Sequence, residues 1–372
     1  APVLIAGKKT GLSMRKQVTW IQTLAVLVLL AACPAQARTA AIAEPETLLR
    51  AQEQLTPWFN LSIAVFSRET RREKNRIYDQ INDVETRYLP TVLRNTLIES
   101  GHWGAVKVGP VPDISAELQV TGRILESTAL VLTLHVEARD SRGVAWINRD
   151  YSAPAHTATY EQDRSMRVDP FQPLYNQIAN DIYRARNGLQ PAEAATVVRA
   201  ALLRYANALA PAAFGGYLEV DAKGIVEVTR LPAEDDVMYV RVKKIREAEY
   251  NFTDAMDEQF SQFFARLQTV YPYWQRYSYE LIAYNDRIKA TGSASDNQEK
   301  PGSWEATEQV YRTFKEFKMN EDEMRELASS FKSEAHATVA ELEGSIIELN
   351  GPLEEQYGRW REILRALYEQ ER

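Results

Sequence analysis

Ala116–Tyr151 reads AELQVTGRILESTALVLTLHVEARDSRGVAWINRDY, and this stretch decides the fold. Ala116–Leu125 and Ala129–Ala138 alternate in part between apolar and polar side chains, the period-two pattern of strands with one face in a core. The link between them is short. Asp140-Ser141-Arg142-Gly143 is a turn signal that leads into Val144–Tyr151. Three strands in succession with tight links predict an antiparallel meander.

Upstream, Leu61–Phe66 (LSIAVF) is a short apolar run bounded by Asn60 and Ser67, and it reads as a buried strand. From Tyr78 to Ile98 the period becomes helical: Ile81, Val84, Tyr88, Leu89, Val92, Leu93, Thr96 and Leu97 share one broad face. Pro90 inside that pattern predicts a break or a restart, and Ser100-Gly101 predicts the helix end. Ala105–Val108 reads as a further short strand. Downstream, Pro170 precedes a helix over Phe171–Arg186 in which Leu174, Ile178, Ile182 and Tyr183 form the apolar face. Strand, helix, strand, meander and helix predict an α/β sandwich over residues 58–190, after a linker or short helix over 34–57.

These elements resemble the TolB N-terminal and CsgG-like domains of bacterial envelope lipoproteins. The matching points are the opening LSIAVF strand, Gly122 in a strand that ends at Ser127, and the Asp140-x-x-Gly143 turn followed by Trp146. The resemblance spans about a third of the chain and rests on a pattern of elements plus a few positions. It implies a mostly non-catalytic role: such domains assemble, bind partner proteins or form secretion pores. The long C-terminal extension is not part of that pattern, so the pore-forming role is not carried over.

Residues 191–372 read as a second, mainly helical region. Pro191–Leu209 places Val198, Leu202, Tyr205 and Leu209 on one face, and a small hairpin is expected over 217–231 around Asp221-Ala222-Lys223-Gly224. Met238, Val242, Ile245, Phe252 and Met256 then start an apolar seam. It becomes regular at Phe260, Phe263, Leu267, Val270, Trp274, Tyr277, Leu281, Tyr284 and Ile288, spaced alternately three and four apart, the repeat of a helix packed lengthwise on others. Pro272 should kink it. Residues 292–303 form a polar loop; helices over Trp304–Phe317 and after Asn320, with Glu323 at the capping-box position, continue the seam through Ala328–Leu349. A last helix follows Asn350-Gly351-Pro352. The fold class is therefore α+β: an N-terminal α/β sandwich with a meander, then an elongated antiparallel helical bundle or kinked coiled coil. Whether the seam closes within one chain or between chains stays open.

The N-terminal region bears on compartment. Met14–Cys33, MRKQVTWIQTLAVLVLLAAC, has a positive start at Arg15 and Lys16, an apolar run over Val18–Leu30 and small residues at its end, the layout of an export signal. The apolar run is shorter than the roughly 18 to 20 residues a spanning helix needs. Leu30-Ala31-Ala32-Cys33 resembles a bacterial lipobox, in which Cys33 is lipidated and becomes the new N-terminus. Ala35-Gln36-Ala37 also fits plain cleavage and secretion, and an uncleaved anchor is the third reading. Residues 1–13 read as an upstream extension. These features predict an outer-membrane lipoprotein facing the periplasm, with a soluble periplasmic protein as the alternative.

Composition narrows the chemistry. Cys33 is the single cysteine, so no internal disulfide forms and core packing must hold the body together. Residues 191–372 carry 22 Lys and Arg against 32 Asp and Glu, an acidic surface unsuited to nucleic acid. The basic run Arg68–Arg76 is interrupted by Glu69 and Glu73 and reads as a solvated segment. His102, His135, His156 and His336 show no metal-ligand spacing, and the chain has no phosphate loop, dinucleotide fingerprint or Gly-x-Ser-x-Gly elbow. The remaining acid–base candidates are Asp254, Asp257 and Glu258, which share a helix face by spacing. Two carboxylates of opposed role could cleave glycosides, but acidic triplets on exposed helices are common. Tyr273 and Tyr279, off the seam, are the better candidates for a partner-binding surface.

The expectation is a non-enzymatic, cofactor-free and metal-free envelope lipoprotein acting as an interaction or scaffolding module. It would meet envelope protein partners, self-associate, and touch the membrane through its lipid, without binding nucleic acid. The alternatives are a periplasmic cell-wall glycan hydrolase and a subunit of a secretion or motility assembly.

Overall fold

Ten-residue strands at the meander positions organise the fold. The computed structural model describes residues 41–42, 46–53, 55–68, 79–155, 160, 169–268, parts of 271–283, and 353–370, all within one unit of the chain, Ala40–Arg372. The export segment with Cys33, the polar loop 292–303 and the helices expected over 304–349 lie outside the described residues, as do Tyr273, His156 and His336. The strands are β1 (Ala41–Ile42), β2 (Leu61–Ala64), β3 (Ser67–Arg68), β4 (Val106–Gly109), β5 (Leu118–Ser127), β6 (Val131–Asp140), β7 (Ala145–Pro154), β8 (Leu218–Val220) and β9 (Val226–Val228). The helices are α1 (Asp79–Ser100), α2 (Gln172–Asn187), α3 (Pro191–Leu209), the short α4 (Pro211–Phe214), α5 (Val237–Leu267) and α6 (Leu353–Gln370).

The protein is α+β. Its main sheet is mixed, with order β1-β7-β6-β5-β2-β4 and β3 beside β5. β5, β6 and β7 form the expected antiparallel meander, with Gly122 opposite Val136 and Leu134 opposite Tyr151. β2 joins parallel to β5 and to β4. Alternation does the sorting: Leu132, Leu134, Val136, Ala138 and Asp140 along β6 are all at most 1 % exposed.

The β6–β7 turn is built around one side chain. The fully buried Asp140 carboxylate accepts from the backbone N–H of Arg142 (2.9 Å) and Val144 (3.2 Å). It also accepts from the Arg142 guanidinium (2.7 and 3.0 Å) and from the Trp146 indole Nε1 (3.1 Å). Gly143 adopts φ +85°, and a Cβ there would lie 2.7 Å from the Gly224 carbonyl, so only glycine fits. The Arg142 carbonyl accepts from Val226 N–H (2.7 Å), which fastens the β8–β9 hairpin, present as expected, onto this turn.

α1 runs unbroken through Pro90, contrary to the expected break or restart. A proline cannot donate to the carbonyl four residues back, here that of Thr86. The Phe66 N–H donates to that carbonyl instead (2.9 Å), so the lost helix bond becomes a bond between helix and sheet. The Phe66 ring then lies over Gly122, where a Cβ would come within 2.5 Å of it. Gly122 is therefore a space requirement of the sheet face.

The second half of the chain shares the first half's core. Ala194 and Val197 of α3 and Phe260, Phe263 and Leu267 of α5 pack with the sheet, α1 and α2. Tyr205, Ala206 and Leu209 of α3 pack instead with Val242, Phe252 and Met256 of α5 and with α6. The described part of the apolar seam is thus split between two surroundings. In α3 the buried face includes Ala194, Val197, Ala200, Ala201 and Ala206, while Val198 and Leu202 are only partly buried. Alanines supply much of that face, and they carry little periodic hydrophobic signal.

Candidate functional site

The acidic triplet lies where α5 crosses the β4 edge of the sheet, and its three carboxyls do three different things. Asp257 points inward and is 7 % exposed. Its Oδ1 accepts from the Val108 N–H (2.8 Å), and its Oδ2 takes an ion pair with Arg94 of α1. Burial raises the Asp257 pKa, opposed by the Val108 N–H and by Arg94. Asp254 pairs with Lys107 Nζ at 2.7 Å, but its side chain is 64 % exposed. Glu258 is exposed and accepts from the Gln262 amide (3.2 Å). Lys107 also donates to the Tyr250 carbonyl (3.2 Å) and to Thr253 Oγ1 (2.9 Å). The triplet is a joint that ties α5 to strand β4 and helix α1.

A narrow cleft opens beside this joint, lined by Lys107, Val111, Asp113, Tyr250, Met256 and Tyr357 among others. Its free volume is about 20 Å³, room for a water molecule or so. None of Asp254, Asp257 and Glu258 lines it, so the carboxyls do not face one another across a space where a glycan could sit.

Buried acids with no counterpart in the sequence reading include Glu85 and Glu249. Glu85 of α1 accepts from Arg68 (2.9 Å), Ser127 (2.8 Å) and Tyr271 (2.9 Å); burial raises its pKa against those partners. Nearby, Asp169 accepts from the Phe171 N–H (2.8 Å), and loss of solvent pushes it up to about 6. Glu249 of α5 is wholly buried, and its Oε1 accepts from the Tyr357 hydroxyl at 3.2 Å. A signal for it exists in the sequence. The spacing from Ile245 to Phe252 skips one seam position, and Glu249 occupies it.

The described histidines serve packing and pairing. His135 Nδ1 meets Asp150 Oδ1 at 2.6 Å across the β6–β7 pair. His102 stacks on Tyr183 with ring centroids 3.8 Å apart, its Nε2 meets the Leu49 carbonyl at 3.1 Å, and burial lowers its pKa. Tyr279, expected to offer a partner-binding surface, stacks on Tyr160 at 4.9 Å and packs against the core. Its spacing off the seam reflected a second packing direction. Among the described residues no group of three or more His, Cys, Asp or Glu could hold a metal ion, and no helix is long and apolar enough to cross a membrane.

No family model and no curated protein matches the chain. A solved structure with some likeness is protein XCC0632 from Xanthomonas campestris, described by the DUF330 family model. It is 12 % identical, with a TM-score of 0.24, over 41 % of this chain and 99 % of that one. A likeness of that size assigns neither fold nor function.

Proposed function

We propose that this chain is a non-enzymatic envelope lipoprotein, held in the outer membrane by a lipid on Cys33 and acting in the periplasm as a protein-interaction module. The observation that carries the reading is the Met14–Cys33 run, with its basic start, its short apolar run and its Leu-Ala-Ala-Cys end. The resemblance of residues 58–186 to TolB N-terminal and CsgG-like domains points the same way. The helical C-terminal half, as a bundle or coiled coil, would be the spacer or docking element, with self-association as one use. The acidic triplet supports the reading by its employment: Asp257 and Asp254 are engaged in ion pairs that join elements, and Glu258 faces solvent.

Intact mass spectrometry of the protein purified from membranes of a bacterial host tests this. The expected mass begins at Cys33 and includes acyl chains. A mass beginning near Arg38 without lipid would overturn the anchored reading and leave a free periplasmic protein.

A further inference from the structure

The last described helix is seated over a carboxyl that has too few partners. Glu249 is 0 % exposed, at the meeting of α3, α5 and α6. From α6, the Tyr357 hydroxyl donates to Oε1, and Arg361 Nε stands 3.9 Å away with its side chain 32 % exposed. From α3 comes Tyr205, whose buried hydroxyl acts on the Glu249 carboxyl without reaching full hydrogen-bond geometry. From the loop between β4 and β5 comes Asp113, whose carboxylate accepts from Ser115 N–H (2.7 Å) and Oγ (2.8 Å). Glu249 Oε2 is itself buried and unpartnered. Phe252 and Trp360 of the cluster at this junction stack at 5.1 Å.

A neutral carboxyl suits this setting, because it carries no charge to solvate and its proton can serve a neighbouring oxygen. An ionised one leaves a buried charge with one hydroxyl at 3.2 Å, a second short of full hydrogen-bond geometry, a cation 3.9 Å away and a carboxylate nearby, an arrangement costly in a low-dielectric interior. We propose that Glu249 is a proton switch on the seating of α6: with the carboxyl neutral the helix closes on α3 and α5, and ionisation loosens it. Desolvation, with Asp113 adding to it, pushes Glu249 up to about 7, against the lowering effects of Tyr205, Arg361 and Tyr357. The closed form therefore holds the proton more tightly than the open one. Its extra stability is fully present below the ordinary carboxyl range and is lost as pH rises through about 7.

Hydrogen–deuterium exchange on the full chain at about pH 5.5 and about pH 8.5, expressed as protection factors corrected for intrinsic exchange, tests the switch. Amides of β5–β7 serve as the internal reference. Protection over 353–370 should fall about tenfold or more relative to the sheet on going to the higher pH, and Glu249→Gln should reduce that fall to about twofold or less. An unchanged α6 in the wild type, or an equal fall in Glu249→Gln, overturns the proposal. Should Glu249→Gln lose sheet protection as well, Tyr357→Phe decides. It removes the hydroxyl that serves the ionised form and should steepen the fall; an unaltered pH response overturns the switch.

Discussion

Asp140 and Glu249 are both wholly buried, yet they sit in opposite circumstances. Asp140, in the β6–β7 turn, is re-solvated by the protein: two backbone N–H groups, an indole and its own arginine surround it, all within six residues along the chain. Glu249, at the junction of three helices, has one hydroxyl at 3.2 Å and an arginine at 3.9 Å, both on α6, more than a hundred residues away in sequence. Burial alone says little about what a charge costs. The supply of donors decides it, and a supply drawn from a distant element makes that element sensitive to the charge.

The largest effect is expected at Asp140. Asp140→Ala strips the partner from the partly buried Arg142 and leaves two N–H groups and an indole unserved, so a loss of about 3–5 kcal/mol is expected in denaturant unfolding. A loss no larger than that of an exposed carboxylate would mean that the donors do not re-solvate it. Next comes the packing of the same sheet. Gly122→Ala places a methyl into the Phe66 ring and should cost about 1–3 kcal/mol, with part of it recovered in the Gly122→Ala/Phe66→Leu double variant if the clash is the cause. Asp257→Asn keeps an acceptor for the Val108 N–H but leaves Arg94 without its counter-charge, for an expected loss of about 1–2 kcal/mol by thermal or chemical melts. Smallest is Asp254→Ala. Its carboxylate is mostly in water and Lys107 keeps the Tyr250 and Thr253 acceptors, so a change of about 0.5 kcal/mol or less is expected. If Asp254→Ala equalled Asp257→Asn, the inward and outward members of the triplet would not differ as their exposure implies.

Much of the sheet was legible because its signals are local. The period-two runs, the Asp140–Gly143 turn and the Asp221–Gly224 hairpin each lie within a few residues, and each appears where alternation and turn chemistry place it. Pro90 misled because its lost hydrogen bond is replaced from Phe66, a residue no helical window includes. The α3 face was read through Val198, Leu202, Tyr205 and Leu209; Tyr205 and Leu209 are buried, but Val198 and Leu202 are only partly so, and the alanines that complete the face leave little amplitude in the pattern. Of the candidate site, the triplet's shared helix was legible but its division of labour was not. That division depends on where strand β4 and helix α1 arrive.

The antiparallel meander, the helical character of the regions flanking it and the Asp140–Gly143 turn could be read from the sequence alone. All of these follow from chemistry repeated or completed within one short segment. Only the tertiary structure decided that Asp257 is a clamp while Asp254 and Glu258 face water, that Gly122 is an accommodation of Phe66, and that Glu249 lies under α6. The physical reason is the same in each case. Solvation of a buried group is set by the atoms that surround it in space, and in a chain that folds back on itself those atoms come from residues that no local pattern connects.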